Sequence, residues 1–340
     1  MRIRFTVIAL TTSTCLAVSA IWLAAPSVTA QGGSLTLATI SSRADMVSGG
    51  DTLLEIRGAG TSMAGVRVTA DGRDVTRAFG ADATRGSLVG LVDGLKLGAN
   101  TVEARADART VRLTVTNFPM AGPVFSGPHL DPFECRTEAS GLGAALDKNC
   151  SVAATVQYFY RAAGAAAEPA DETARPGRSA FKPLPDGPRP SDIAQTTTST
   201  GRTVPFIVRV ESGTINRAIY RIAVLDEPRS DLGAWKPGAG WNQRLLFSFG
   251  GGCGTNYHQG VNQATAALDE PALSRGFAFA VSTQNVMGQH CNDALSGEAL
   301  MMIKEHFIEA YGGTGLDRRP RRIGRRHPAT ADRAELSRPA

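Results

Sequence analysis

The chain has 340 residues, 42% of them hydrophobic and 20% charged, which excludes an intrinsically disordered polypeptide and leaves room for two ordinary domains. The formal charge is +5. Residues 316–340 hold eight arginines against Asp317, Asp332 and Glu335, so this tail carries the whole excess and the body of the chain is neutral. Nucleic acid is therefore not an expected partner, because basicity in one short tail leaves no electrostatic footprint on the body.

In chain order, residues 1–30 read as a secretory signal. Arg2 and Arg4 precede a mostly apolar run from Phe5 to Ala25, and Val28-Thr29-Ala30 forms a small-residue cleavage site before Gln31. Thr11, Thr12, Ser13 and Thr14 dilute the run and no basic stop-transfer cluster follows. No stable membrane span is expected after cleavage, and the protein is expected to be exported, to the periplasm or the medium. Cleavage removes Cys15 and leaves Cys135, Cys150, Cys253 and Cys291. An even number in an exported chain suggests disulfides. Three pairings are possible; Cys135–Cys150 and Cys253–Cys291 keep each pair within one region. No C-x-x-C spacing occurs, so no zinc or other metal is expected.

Residues 31–117 read as a small all-β sandwich of immunoglobulin-like kind. The stretches SLTLATIS, DTLLEIRG, VRVTADGRDVT, NTVEARA and RTVRLTVTN alternate apolar and polar residues. Gly49-Gly50, Asp71-Gly72, Asp93-Gly94 and Gly98 separate them as turns. Residues 118–204 read as an irregular connector with one strand, SVAATVQYFYR, and a Pro/Ala-rich segment containing Pro169, Pro176, Pro183, Pro185, Pro188 and Pro190. A hairpin follows: PFIVRVES, a turn at Gly213, then INRAIYRIAVLD.

From Trp241 the period changes. RLLFSFG and GFAFAVST are continuous apolar runs, typical of strands buried on both faces. NQATAALDEPALSR between them suits a helix up to Pro271. SGEALMMIKEHFIEAYGG suits an amphipathic helix, with Leu300, Ile303, Phe307 and Tyr311 at helical spacing, Ser296 as its cap, Glu298 at its positive end and Gly312 as its stop. Strand, helix, strand, helix is the grammar of an α/β fold with a mainly parallel sheet. Residues 205–312 are expected to be its N-terminal part.

The chemistry is expected where LLFSFGGGCGTNYHQG ends a buried strand. Gly250, Gly251, Gly252, Cys253 and Gly254 fit two readings. In one, the glycines make a tight loop that Cys253 staples to Cys291. In the other, their backbone N–H groups form part of an oxyanion hole for ester hydrolysis, which α/β-hydrolases build from a glycine-rich loop ahead of the nucleophile. No G-x-x-x-x-G-K-[ST] or G-x-G-x-x-G fits here, so no nucleotide or other cofactor is expected. His258 and His290 read as polar loop residues rather than bases, since the histidine comes last in that order of triad residues. Asp293 and Glu298 have helix-start explanations. Asn256 and Tyr257 could line a pocket beside the glycines.

The stretches FSFGGGCGTNYHQG and LSRGFAFAVSTQNVMGQHCNDALSGEALMMIKEHFIEAYG resemble a family of bacterial exported proteins of unknown function. Their catalytic half looks like an α/β-hydrolase and is distantly similar to the tannase and feruloyl esterase group. The resemblance covers residues 200–312, and the preceding β-rich part more loosely. It implies a small-molecule ester as substrate of the intact relatives, and an oxyanion role for the Gly250–Gly254 loop. It also implies a strand and a serine in a Gly-Ser-Gly-Gly elbow after the helix ending near Tyr311.

That strand is replaced by GGTGLDRRPRRIGRRHPATADRAELSRPA, and no G-x-S-x-G occurs. Residues 313–340 read as an aberrant, disordered Arg-rich tail, as a shifted reading frame would produce. Moved by one nucleotide from the codon of Leu316, the codons through Ser337 permit a short strand, a Gly-Ser-Gly-Gly elbow and a helix start. The serine falls across the codons of Ile323 and Gly324. The expected fold is thus an incomplete α/β-hydrolase-like parallel sheet preceded by the β-sandwich. The expected function is a truncated exported serine hydrolase, inactive as written because a triad needs all three members. The alternative is a non-catalytic exported binding protein that uses the sandwich.

Overall fold

The computed structural model describes residues 34–58, 64–165, 180–228 and 238–312. The expected signal segment and the Arg-rich tail lie outside them. The described residues belong to one compact unit. Among them no helix is long and apolar enough to cross a membrane.

The N-terminal strands are β1 (Leu35–Thr39), β2 (Val47–Ser48), β3 (Thr52–Gly58), β4 (Arg67–Ala70), β5 (Arg73–Asp74), β6 (Phe79–Asp82), β7 (Ser87–Val92), β8 (Gly98–Ala106) and β9 (Arg109–Phe118). They form two sheets, ordered β1-β3-β7-β6 and β2-β9-β8-β4-β5. Alternate side chains of both sheets close one core, with Leu37, Leu54, Ile56 and Val92 from the first meeting Val68, Val102, Ala104 and Val115 from the second. The alternation that marked these strands is therefore a true inside–outside pattern.

The second half is built on one six-stranded sheet, ordered β11-β10-β14-β15-β17-β16. Its strands are β10 (Thr155–Arg161), β11 (Phe181–Pro183), β14 (Ile207–Ile215), β15 (Ala218–Leu225), β16 (Leu245–Phe247) and β17 (Ala278–Ser282). β12 (Gln195–Thr197) and β13 (Thr203–Pro205) make a separate ribbon. The sheet is mixed, not mainly parallel as the strand–helix order suggests. Only β16 and β17 run parallel; the other neighbours are antiparallel. The reason is local. A two-residue turn joins β14 to β15, and so tight a connection permits only antiparallel pairing. Between β16 and β17 the chain crosses over through a 3-10 turn at Ala264–Ala267 and the one-turn helix α1 (Glu270–Leu273), which permits a parallel return.

The hairpin turn is not at Gly213. Asn216 and Arg217 make it, both at positive φ, with Ile215 paired to Ala218. Gly213 lies inside β14 opposite Tyr220, and a Cβ there would sit 2.9 Å from the tyrosine ring. Nor does the helix stop at Pro271. Asp269 caps α1 by accepting from the Ala272 N–H at 2.8 Å, and Pro271 stands in the first turn, where a missing N–H costs nothing.

Both faces of the sheet are covered. Phe159, Val208, Val210, Leu225 and Phe279 pack on Ala267, Leu268 and Leu273. On the other face Ile222, Val224, Leu245 and Phe247 pack on Met302, Ile303 and Phe307 of helix α2 (Asp293–Tyr311). The expected stripe of α2 does enter this core. Its cap, however, is Asn292, which accepts from the Leu295 N–H at 3.0 Å. Ser296 is buried and receives the Asn285 amide.

Helix α2 is buried on its acidic side as well. Glu298 accepts the N–H groups of Val124 and Ser126 at 2.9 and 2.6 Å, and that of Phe125 between them. Glu305 accepts from the Ser48 hydroxyl at 2.7 Å, and Glu309 from the Ser41 hydroxyl at 2.7 Å. Ile308 packs with Leu53 and Val89 of the sandwich. The helix is thus clamped between the two halves of the protein.

Burial pushes the Glu305 carboxyl up to about 7, and burial together with the neighbouring Glu305 and Asp51 charges pushes Glu309 up to about 10. Both retain protons in the folded protein that an unfolded chain releases near pH 4. Their stabilising contribution is full below that range and is lost as pH rises through about 7 and on toward 10. Thermal unfolding at constant ionic strength should show Tm falling by at least about 3 °C from pH 5 to pH 8, since one pKa unit is worth about 1.4 kcal/mol and each kcal/mol shifts a large domain by roughly 2–4 °C. Combining Glu305→Gln with Glu309→Gln should flatten the fall; an unchanged slope in that double variant would refute the assignment.

Candidate functional site

β16 ends at Phe247, and the chain stays in register with β17 for one more bond, Ser248 N–H to the Ala280 carbonyl at 2.9 Å. It then runs beside residues 285–291. Gly250 and Gly254 donate to the Asn285 and Met287 carbonyls, each at 3.0 Å. Met287, Gly288 and Cys291 donate back to Gly250, Gly251 and Gly254. Cys253 and Cys291 form a disulfide, with Cα atoms 4.8 Å apart.

Most of the glycines are explained by this pairing. A Cβ at Gly254 would lie 2.1 Å from the Gly288 carbonyl oxygen, and one at Gly250 would lie 2.7 Å from Val286. Gly252 has φ +92, a region that L side chains avoid. Gly251 answers to neither demand, because a Cβ there would meet nothing within 4 Å. The N–H groups of Gly251, Gly252 and Cys253 have no partner among the described residues, and all three residues are exposed. Free backbone N–H groups are one kind of donor that can stabilise a developing oxyanion when they are aimed at it.

The other disulfide, Cys135–Cys150 with Cα atoms 5.2 Å apart, braces the same place. Glu134 N–H donates to the Tyr257 carbonyl and Gln259 N–H to the Glu134 carbonyl, each at 2.8 Å. The Gln259 side chain accepts from Arg136 N–H and donates to the Cys150 carbonyl. Both preferred cysteine pairings are present, and both staples converge on residues 250–263.

The sequence candidates fall as follows. His258 accepts the Gly260 N–H on Nδ1 at 3.0 Å. Asn256 reaches toward the Gln289 side chain, and Tyr257 is exposed. His290 is buried, burial lowers its pKa, and its Nε2 has no partner. Asp293 is exposed in the first turn of α2, and Glu298 is the connector anchor described above. No serine among the described residues hydrogen-bonds a histidine, and no group of three or more metal-ligating side chains is present among them.

Two features had no signal in the sequence. One is the network at Glu211, whose carboxylate meets His306 at 2.5 Å, Tyr311 at 2.7 Å, Tyr220 at 2.9 Å and Arg209 at 3.2 Å. Burial alone would raise the Glu211 carboxyl, but His306, Tyr311 and Arg209 outweigh it and bring it to about 2. This network knits α2 to β14 and β15. The other is Arg217 at the hairpin turn, whose guanidinium lies 3.8 Å over the Phe133 ring. Phe133 in turn stacks on His290, with ring centroids 6.1 Å apart.

The glycine geometry gives a direct check. Gly254→Ala should lower Tm by several degrees, because the clash is with backbone. Gly251→Ala should leave Tm within about 1 °C, the range of a neutral surface change. Equal effects in thermal unfolding would show the loop to be packed otherwise.

Among curated proteins no sequence matches the chain. A family profile does match, over residues 37–315, and describes a tannase-like family of unknown function (DUF6351). The match spans the sandwich, the mixed sheet, the disulfide-braced glycine loop and α2, and on it the chain belongs to that tannase-like family.

Proposed function

We propose that the protein is built on an esterase-type hydrolase plan, in which the described residues supply the oxyanion side of the site. Gly251, Gly252 and Cys253 are the donors. The observation that carries this reading is their three free, exposed N–H groups, held at the end of the parallel pair β16–β17 by two disulfides. Family membership supports the reaction class, hydrolysis of a carboxylic ester. The two disulfides fit an oxidising compartment and support an exported protein.

The nucleophile belongs to the strand and elbow expected after α2. In this proposal the codons from Leu316 onward encode that strand in the alternate frame, and the 340-residue product turns over no ester. Removing the nucleophile from a serine triad lowers kcat by about 10⁶-fold, so the contrast is large. The test compares the 340-residue chain with a chain translated onward in the shifted frame, using p-nitrophenyl acetate. The first should be inactive. The second should hydrolyse the ester and lose activity when the serine encoded across the codons of Ile323 and Gly324 becomes alanine. Turnover by the 340-residue chain, or an alternate frame without that serine, would end the proposal.

A further inference from the structure

Arg217 carries three unfavourable features at once. It is the second residue of a two-residue hairpin turn, a place that ordinarily faces water, yet it is only 4% exposed. Its φ is 60, and that of Asn216 is 52. Such turns favour glycine at the second position, so a long side chain is held there against backbone preference. The third feature is its charge. Nη1 donates to the Leu130 carbonyl at 3.2 Å, and Nε is buried with no acceptor. Among the described residues no carboxylate stands at ion-pair distance. The nearest influence is the field of the exposed Asp131.

Arg221, four residues along the same hairpin, shows how the fold treats a structural arginine. It is equally buried, and its Nε and Nη2 donate to the Asn262 side chain and to the Ser140 and Asn262 carbonyls. Arg217 has no such set. Arg221 also lacks a counter-charge among the described residues, so what sets Arg217 apart is its left-handed backbone and an Nε with no acceptor; backbone strain of this kind clusters at functional positions.

Its surroundings say what would complete it. The guanidinium carbon lies 3.8 Å from the centre of the Phe133 ring, and Phe133 stacks on His290. His290 is 7% exposed, with Nε2 buried and unpartnered. His290 bridges Thr255 and precedes Cys291, so this stack adjoins the glycine loop. His129, nearby in the field of Arg217, also has a buried, unpartnered Nε2. The histidines are neutral or cationic, and the carboxylates whose fields reach the group are the exposed Asp131 and Glu298, the latter held by the N–H groups of residues 124–126.

We propose that Arg217 anchors an anion subsite beside the glycine loop and takes the carboxylate of a small organic acid or of an ester bearing a free acid group. A guanidinium with unpaired donors matches a carboxylate in charge and in planar geometry. The word subsite rests on the esterase reading; the anion binding itself does not.

The test is calorimetric titration of the 340-residue chain with sodium acetate, acetamide, monoethyl succinate and diethyl succinate. The two anions should bind saturably and their neutral counterparts should not. Tighter binding of monoethyl succinate than of acetate would identify an acid ester as the ligand; the reverse would identify a free acid. Arg217→Gln should weaken both anions at least tenfold and Arg217→Lys should weaken them less. Without ligand, Arg217→Gln should melt no lower than the wild type, whereas a merely structural arginine would lower Tm when removed. Should Arg217→Gln fail to fold, Phe133→Leu should weaken anion binding several-fold. Equal binding of acetamide and acetate, no saturable binding by the wild type, or unchanged affinity in both variants would overturn the proposal. Anion binding by a chain that hydrolyses no ester in either frame would uphold it while ending the esterase reading.

Discussion

Glu298, Glu305 and Glu309 all leave helix α2 on its buried surface, and each meets a different piece of the chain. Glu298 gathers three consecutive N–H groups at 124–126 and so ties down the segment between the two halves. Glu305 and Glu309 reach Ser48 and Ser41 of the sandwich. The same helix sends Met302, Ile303 and Phe307 into the mixed-sheet core. One helix therefore fixes the sandwich, the connector and the sheet together. Its carboxylates are tolerable there only because each is hydrogen-bonded or protonated, for a bare buried carboxylate would be strongly unfavourable. The glycine loop depends on the same helix: Asn285, whose carbonyl receives Gly250, is bound through its own amide to Ser296 of α2.

This arrangement explains what could be read from the residues and what could not. Strand periods of two and continuous apolar runs report burial, and burial is what the sandwich strands, β15, β16 and β17 share. The apolar stripe of α2 was equally readable. The acidic residues of α2 were not, because a glutamate that caps a helix, faces water or crosses an interface is the same letter. Ser296 and Glu298 suit a helix start until the sandwich and connector are placed over them. Gly213 suits a turn until Tyr220 is seen lying across it.

The expectation of a mainly parallel sheet fails because the residues do not show that the hairpin shares a sheet with the later strands. The strand–helix–strand order from Trp241 does give a parallel pair, β16–β17, but the hairpin β14–β15 and strands β10 and β11 join the same sheet antiparallel and make it mixed. The hairpin itself is legible, but its turn reads as Gly213 because the true turn, Asn216-Arg217, contains no glycine. Strand β7 was missed because Gly90 interrupts its apolar run; the reason for the glycine is tertiary, since a Cβ there would lie 2.7 Å from Phe79. In the glycine loop the residue types were legible but their separate reasons were not. Close approach at Gly250 and Gly254, and a left-handed φ at Gly252, become distinct only once residues 285–291 lie alongside.

The same comparison separates scaffold from site. Several buried groups that tie elements together are well supplied: Glu211 has four partners, Arg221 has three bonds and Glu298 has four donors, although Arg209 Nε beside Glu211 has none. Buried side-chain atoms without a partner also occur at Arg136, Ser140, Arg209, Ser212 and Ser282, but Arg217 Nε and the Nε2 atoms of His129 and His290 share one neighbourhood, beside the exposed Gly251–Cys253 segment. Two disulfides and the connector segment hold that place rigid. Rigidity of this kind lets polar atoms remain unpaired, because the surrounding structure prevents the collapse that would otherwise pair them. The three acceptors around Arg221 show that the fold can supply a buried guanidinium from its own groups, and the proposed anion would supply Arg217 in the same way.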